Sequence, residues 1–123
     1  MSFCWVTIHV SDLEKSVSFY QDIIGLKVNR RMKPLPEIDI AFLGADGTTE
    51  IELLHHDKKK NLTHGKDFSL GFTVDSLDET VEFLNSRNIP VHSGPFQPSP
   101  VLKFIYILDP DGLKIQFVEN IKI

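Results

Sequence analysis

The chain repeats itself. A shift of 64 positions lays Ile8, Val10, Leu13, Val17 and Phe19 over Phe72, Val74, Leu77, Val81 and Phe83, and Ile51-Glu52-Leu53 over Ile115-Gln116-Phe117. Asp46-Gly47 meets Asp111-Gly112 with one residue of slippage, as expected when one turn is a residue longer than the other. Ordered matches of this kind constrain the fold more than composition does. A chain of 123 residues made of two similar copies must bury two similar half-size cores.

In the first copy, Phe3 to Val10 alternates as a strand, with Cys4, Val6, Ile8 and Val10 on one face and Phe3, Trp5, Thr7 and His9 on the other. Ser11 followed by Glu14 has the capping-box pattern and predicts the start of a helix. Leu13, Val17, Tyr20 and Ile24 form its apolar stripe, and Gly25 is placed for a left-handed stop. A strand near Leu26 to Asn29, an irregular stretch Arg30 to Glu37 with two prolines, a strand Ile38 to Leu43, the turn at Asp46-Gly47 and a strand Thr49 to His55 complete the unit. The second copy predicts the same order: strand Phe68 to Val74, a helix capped by Ser76 and Glu79, strand Ile89 to His92, loop Ser93 to Pro100, strand Leu102 to Leu108, turn Asp109 to Gly112 and strand Leu113 to Glu119. The expectation is one domain over 1–123, with module 1 at 1–56, a polar linker at 57–67 and module 2 at 68–123. Within the linker, the lysine run Lys58 to Lys60 reads as a solvated loop.

Charge and cysteine content narrow the function classes. Thirteen Lys+Arg against seventeen Asp+Glu give a net charge of -4, which argues against a nucleic-acid footprint or an anionic membrane surface. No apolar run reaches the roughly 18 residues of a membrane span, and MSFCWVTIHV lacks the marks of a signal peptide. A single cysteine excludes an internal disulfide framework and predicts that Cys4 is a small buried residue in a reducing compartment, so the expected setting is cytoplasmic.

One helix covers only one face of a four-stranded sheet. The uncovered face is predicted to carry the mixed set Trp5, Thr7, His9, Glu52, Ser69, Thr73 and Gln116, on the concave side where two such sheets meet or curl.

At this point the residues resemble a known family. His9-Val10-Ser11-Asp12-Leu13-Glu14-Lys15-Ser16 with Phe19-Tyr20 and Gly25-Leu26, and Asp109-Pro110-Asp111-Gly112 with Lys114-Ile115, are similar to the two signature segments of the vicinal oxygen chelate superfamily. That group includes lactoylglutathione lyase, bleomycin-resistance proteins and extradiol dioxygenases. The resemblance implies an α+β fold of two tandem βαβββ modules forming a curved mixed sheet with a concave cavity. It also implies four positions converging on a divalent metal that polarises neighbouring substrate oxygens, and here they are Trp5, Glu52, Ser69 and Gln116. Of these, Glu52 is an ordinary ligand and Gln116 offers a neutral carbonyl oxygen. The indole of Trp5 has no free lone pair, and the Ser69 hydroxyl is short and weak.

Three readings of the cavity follow. The leading one is a binding protein with no cofactor, in which Trp5, Phe104 and Tyr106 supply aromatic surface, with Phe3 near Trp5. Glu52 supplies charge, while Thr7, His9, Ser69 and Gln116 supply hydrogen bonds to a planar, neutral or cationic ligand. The second is a lyase or isomerase resembling lactoylglutathione lyase, with zinc, nickel or manganese at a non-standard site drawn from Glu52 and Gln116, with His9 and His56 as further ligands. The third keeps catalysis without metal, with Glu52 as a general base. The loops at Arg30 to Glu37 and Ser93 to Pro100 are placed to close over the site, with Phe96 as a lid aromatic. By resemblance, the protein is expected to pair as a homodimer.

Overall fold

The computed structural model describes residues 1–59 and 61–122; Lys60, the last of the lysine run, and Ile123 lie outside the described residues. Contacts divide the chain into two compact units, Met1–Thr63 and His64–Ile123, and the division falls inside the polar segment 57–67. Each unit is a βαβββ module, so the protein has the tandem α+β fold that the repeat implies.

In the first module, β1 (Trp5–His9) runs parallel to β4 (Glu50–His56), and β3 (Ile38–Leu43) and β2 (Val28–Leu35) follow antiparallel, in the order β1-β4-β3-β2. The helix α1 (Leu13–Phe19) is capped by Asp12, whose carboxylate accepts from the Lys15 amide at 3.0 Å. Ser11 is therefore not the cap, a correction to the expected capping box. The helix continues as a π-type turn over Tyr20–Ile24 and stops where Gly25 takes φ +89°, as its position in the sequence predicts. Leu13, Val17 and Tyr20 go down onto Ile8, Val10, Ile51, Leu53, Ala41 and Leu43, and these fully or nearly fully buried residues are the first core. Arg31 of β2 donates to the Glu14 carboxylate of α1 through both terminal guanidinium nitrogens, one contact at 3.3 Å. That hydrogen bond holds the Glu14 carboxyl below the usual carboxylate range and raises Arg31 further.

The second module repeats the order as β5-β8-β7-β6, with β5 (Ser69–Thr73), β6 (Ser93–Ser99), β7 (Leu102–Leu108) and β8 (Lys114–Asn120). Its helix α2 (Leu77–Ser86) is capped by Ser76, whose hydroxyl accepts from the Glu79 amide at 3.2 Å. Leu77, Leu84, Ile105, Ile107, Leu113, Ile115 and Phe117 form the second core.

Three further expectations are corrected. The Pro-containing segments are edge strands rather than loops: β2 runs on to Leu35 and β6 occupies Ser93–Ser99. An edge strand has one side free of ladder bonds, so prolines 34, 95 and 98 are tolerated there. Accordingly, Phe96 is a strand residue braced on Phe104, and neither segment is a loop poised as a lid. Ile89 to His92 is not a strand, because Asn88 turns left-handed at φ 59° and the Ile89 amide closes back onto the Leu84 carbonyl. Cys4 is exposed and unbridged rather than buried, since β1 begins only at Trp5.

Candidate functional site

On the sheet face opposite α1, strand alternation aligns Trp5, Thr7 and His9 of β1 beside Glu50, Glu52, Leu54 and His56 of β4, with Phe42 of β3 in register with Glu52. Thr7 and Glu52 are register partners, and the threonine hydroxyl donates to Glu52 Oε1. Glu52 is 8% exposed, the one buried acidic side chain of this module among the described residues. Trp5 is 42% exposed and sets its ring at 73° to that of Phe42, with centroids 5.1 Å apart, an edge-to-face contact. Arg30 also packs on Phe42, its guanidinium carbon 3.9 Å from the ring centroid. Glu50 holds that guanidinium at 2.9 Å and takes a second hydrogen bond from Asn29 at 3.0 Å. The first module thus presents a braced indole, a buried carboxylate with one donor already in place, and a neutralised cation.

In the second module, the corresponding face carries Ser69 and Gly71 of β5, Lys114 and Gln116 of β8, Phe104 and Tyr106 of β7 and Phe96 of β6. Gln116 donates through Nε2 to the Tyr106 hydroxyl at 3.3 Å. Gly71 makes room for that amide: a Cβ there would stand 3.3 Å from Gln116 Oε1. Phe96, Phe104 and Tyr106 form a mutual ring cluster with centroids 5.5 to 6.3 Å apart. Ser69 is exposed at the head of β5.

The expected residues therefore fall on the uncovered faces of their own sheets: Trp5, Thr7, His9, Glu52 and His56 in one module, Ser69, Phe104, Tyr106 and Gln116 in the other. Phe42, Arg30 and Glu50 belong to the site and were not expected. The repeat holds the signal for Phe42, because the 64-residue shift places it over Tyr106, which the binding reading does select as aromatic surface.

The residues at the four metal positions do not fit the metal. Trp5 has no lone pair to give, Ser69 is a single neutral hydroxyl, and Gln116, which donates through Nε2 to Tyr106, offers only a neutral amide oxygen, so Glu52, already an acceptor for Thr7 through one oxygen, is the one anionic ligand among the four. The relocated set is not assembled either. Among the described residues no three His, Cys, Asp or Glu side chains are grouped to hold a metal ion, and His56 Nδ1 accepts from the Lys58 amide at 3.1 Å. His55, on the opposite face, is occupied by the Val10 carbonyl at 3.0 Å and Asp57 at 3.3 Å.

Residues 2–117 match the sequence profile of the Glyoxalase/Bleomycin resistance protein/Dioxygenase superfamily. The lactoylglutathione lyase of Haemophilus influenzae is 32% identical, over 98% of this chain and 93% of its own length. That of Neisseria meningitidis serogroup A is 31% identical, over 92% and 86%. Among solved structures, the trypanothione-dependent glyoxalase I of Leishmania major superposes with a TM-score of 0.83 at 22% identity, over 97% of this chain and 86% of that one. TnmS3, an antibiotic binding protein from Streptomyces, superposes with a TM-score of 0.73 at 22% identity, over 98% and 96%. At those identities the structural likeness speaks for the fold alone. No helix among the described residues is long and apolar enough to cross a membrane.

Proposed function

Because the chain belongs to the glyoxalase/bleomycin resistance protein/dioxygenase superfamily but carries indole, hydroxyl and amide at three of the family's four metal positions, we propose that it binds a small planar molecule without a metal. The observation that carries this reading is Trp5, half-exposed and braced on Phe42, beside the buried Glu52. An aromatic shelf next to a carboxylate suits a flat ligand with a positive charge or hydrogen-bond donor for Glu52. Thr7 and His9 complete the site on the first module, and Ser69, Phe104, Tyr106 and Gln116 give the second module a face of its own with aromatic surface and hydrogen-bonding groups. An antibiotic binding protein built on the same fold gives the reading a structural precedent. Assembly as a homodimer is part of the proposal, to be read by light scattering.

Trp5 is the only tryptophan, so its emission reports on this face alone. Titrating planar cations and neutral heteroaromatics is expected to quench or shift that emission, with affinity lost in Glu52→Gln. An unchanged emission across the panel, or quenching indifferent to Glu52, sinks the reading. A second reading, a lyase with a divalent metal at a non-standard site, is favoured by the retained Glu52 and by the names of the relatives near 30% identity. Its mark would be one zinc, nickel or manganese ion per chain, lost in Glu52→Ala together with lactoylglutathione lyase activity.

A further inference from the structure

The two modules differ at positions the repeat equates. In the first, Trp5 lies against Phe42, and Arg30 covers Phe42 while its charge meets Glu50. Sixty-four residues on, these positions are Ser69, Tyr106, Gly94 and Lys114. A hydroxymethyl group replaces the indole, no side chain replaces the guanidinium, and an ammonium replaces the carboxylate. What the first module fills and neutralises, the second leaves open and positive. A cleft of about 400 Å³ lies there, bounded among others by Ser69, Tyr106, Phe96, Lys66, Asp67 and Lys114.

We propose that this cleft binds a planar molecule bearing an anionic group, a carboxylate or a phosphate, with its ring on Phe96 and Tyr106 and its anion at Lys114 and Lys66. Lys114 Nζ donates to the Lys66 carbonyl at 3.2 Å, which ties the segment before β5 across the cleft and leaves the remaining ammonium hydrogens for a ligand. Neither lysine is in an ion pair among the described residues. Asp67 is the one acidic group in the lining, so two ammonium charges outweigh one carboxylate there. The Tyr106 hydroxyl accepts from Gln116, so its own hydrogen is left to donate outward. Phe96 is 45% exposed and held by Phe104 at 5.5 Å, so part of its ring surface is free to meet a ligand. The volume suits a ligand of one or two rings.

The proposal shares Ser69 and Tyr106 with the binding reading above and to that extent rests on it, but it needs neither Trp5 nor Glu52. The test titrates the full chain with naphthoate, phenyl phosphate, the uncharged naphthamide and inorganic phosphate, by calorimetry and by amide shifts in NMR spectra. Naphthoate and phenyl phosphate are expected to bind about tenfold or more tighter than naphthamide, as charge-assisted hydrogen bonds require. That affinity should weaken with salt and fall about tenfold in Lys66→Gln/Lys114→Gln and in Phe96→Ala. Equal affinity for the acid and the amide, or no salt dependence, overturns the anionic part. Inorganic phosphate binding as tightly as phenyl phosphate overturns the aromatic part. The salt series on the unaltered protein decides the matter even where a variant fails to fold. Trp5→Leu and Glu52→Gln should leave naphthoate binding unchanged; loss there would merge the cleft with the Glu52 site and overturn its independence. Failure of the first reading looks different: planar cations leave Trp5 emission unmoved while the lysine-dependent affinity for naphthoate persists.

Discussion

Thr7 and Glu52 face each other across the parallel β1–β4 pair, and the threonine hydroxyl donates to the buried carboxylate. The repeat has no second copy of this bond, because Gly71 stands at the position equivalent to Thr7 and Gln116 turns to Tyr106 instead. In this chain, then, Glu52 is oriented by a neighbour within its own sheet. Thr7→Val keeps the shape and removes the donor. We expect a loss of about 1.5–3 kcal/mol in urea unfolding, the range for a hydrogen bond to a charged partner. Glu52→Gln retains an acceptor and should cost less than Thr7→Val. Equal stability of Thr7→Val and the unaltered chain would show that the bond carries no weight.

The helix caps give a second prediction. Asp12→Ala and Ser76→Ala each remove a side-chain acceptor for an orphan amide, and each should cost about 1 kcal/mol. Unchanged stability of Asp12→Ala in matched denaturant curves would contradict the observed cap.

The Asp12 cap also shows what the sequence can and cannot reveal. The 64-residue shift equates Asp12 with Ser76, so the repeat carries the right cap; the local Ser-x-x-Glu pattern at Ser11 competes with it and misleads. Strands β7 and β8 are legible because Leu102–Leu108 and Lys114–Asn120 alternate over a buried face, and β3 because Ile38–Leu43 is a short apolar run that ends at a turn. The edge strands β2 and β6 are not, since their exposed residues lack an apolar period and their prolines read as loop. The mixed face is legible from alternation, but Phe42 is not singled out, because in the sequence it is one apolar residue in the run Ile38–Leu43, and the structure buries it to 3% exposure. Its burial comes from the Trp5 edge and the Arg30 guanidinium packing on it, contacts that only the register of four strands brings together.

A third prediction concerns acid. Glu14 is held below its ordinary range by Arg31, so the folded state favours the charged carboxylate. The stabilisation from this pair is therefore present above the unfolded-chain value of Glu, about 4.3, and is lost as pH falls through the lower folded value. Both side chains are largely exposed, so the contribution is that of a surface pair, up to about 1 kcal/mol at low salt. Arg31→Gln should lower stability by that amount at pH 7, and the gap to the unaltered chain should close as the pH drops below the carboxylate range. A gap that widened in acid would reverse the assigned sign.

Metal uptake would separate this chain from the metal-dependent enzymes that its signature segments resemble. Of the four positions, only Glu52 presents an anionic oxygen, and Thr7 already donates to it. An indole nitrogen is a donor, a serine oxygen is short and neutral, and a glutamine oxygen lacks the charge that offsets a divalent ion. The unaltered protein, purified without chelator and given zinc, nickel or manganese, should take up well under one ion per chain by elemental analysis. Supplying the missing ligand types tests whether those side chains are the whole obstacle. If the four positions converge as they do in the enzymes the chain resembles, Trp5→His/Ser69→His/Gln116→Glu should bind close to one nickel or zinc ion per chain. Adding Glu52→Ala should abolish that uptake. Metal at one ion per chain in the unaltered protein, insensitive to Glu52→Ala, would mean that the ligands are other residues and that the metal-free reading is wrong. A triple variant that folds, as judged by its far-ultraviolet spectrum, yet binds no metal would mean that the scaffold itself, beyond the three side chains, has left the metal geometry behind.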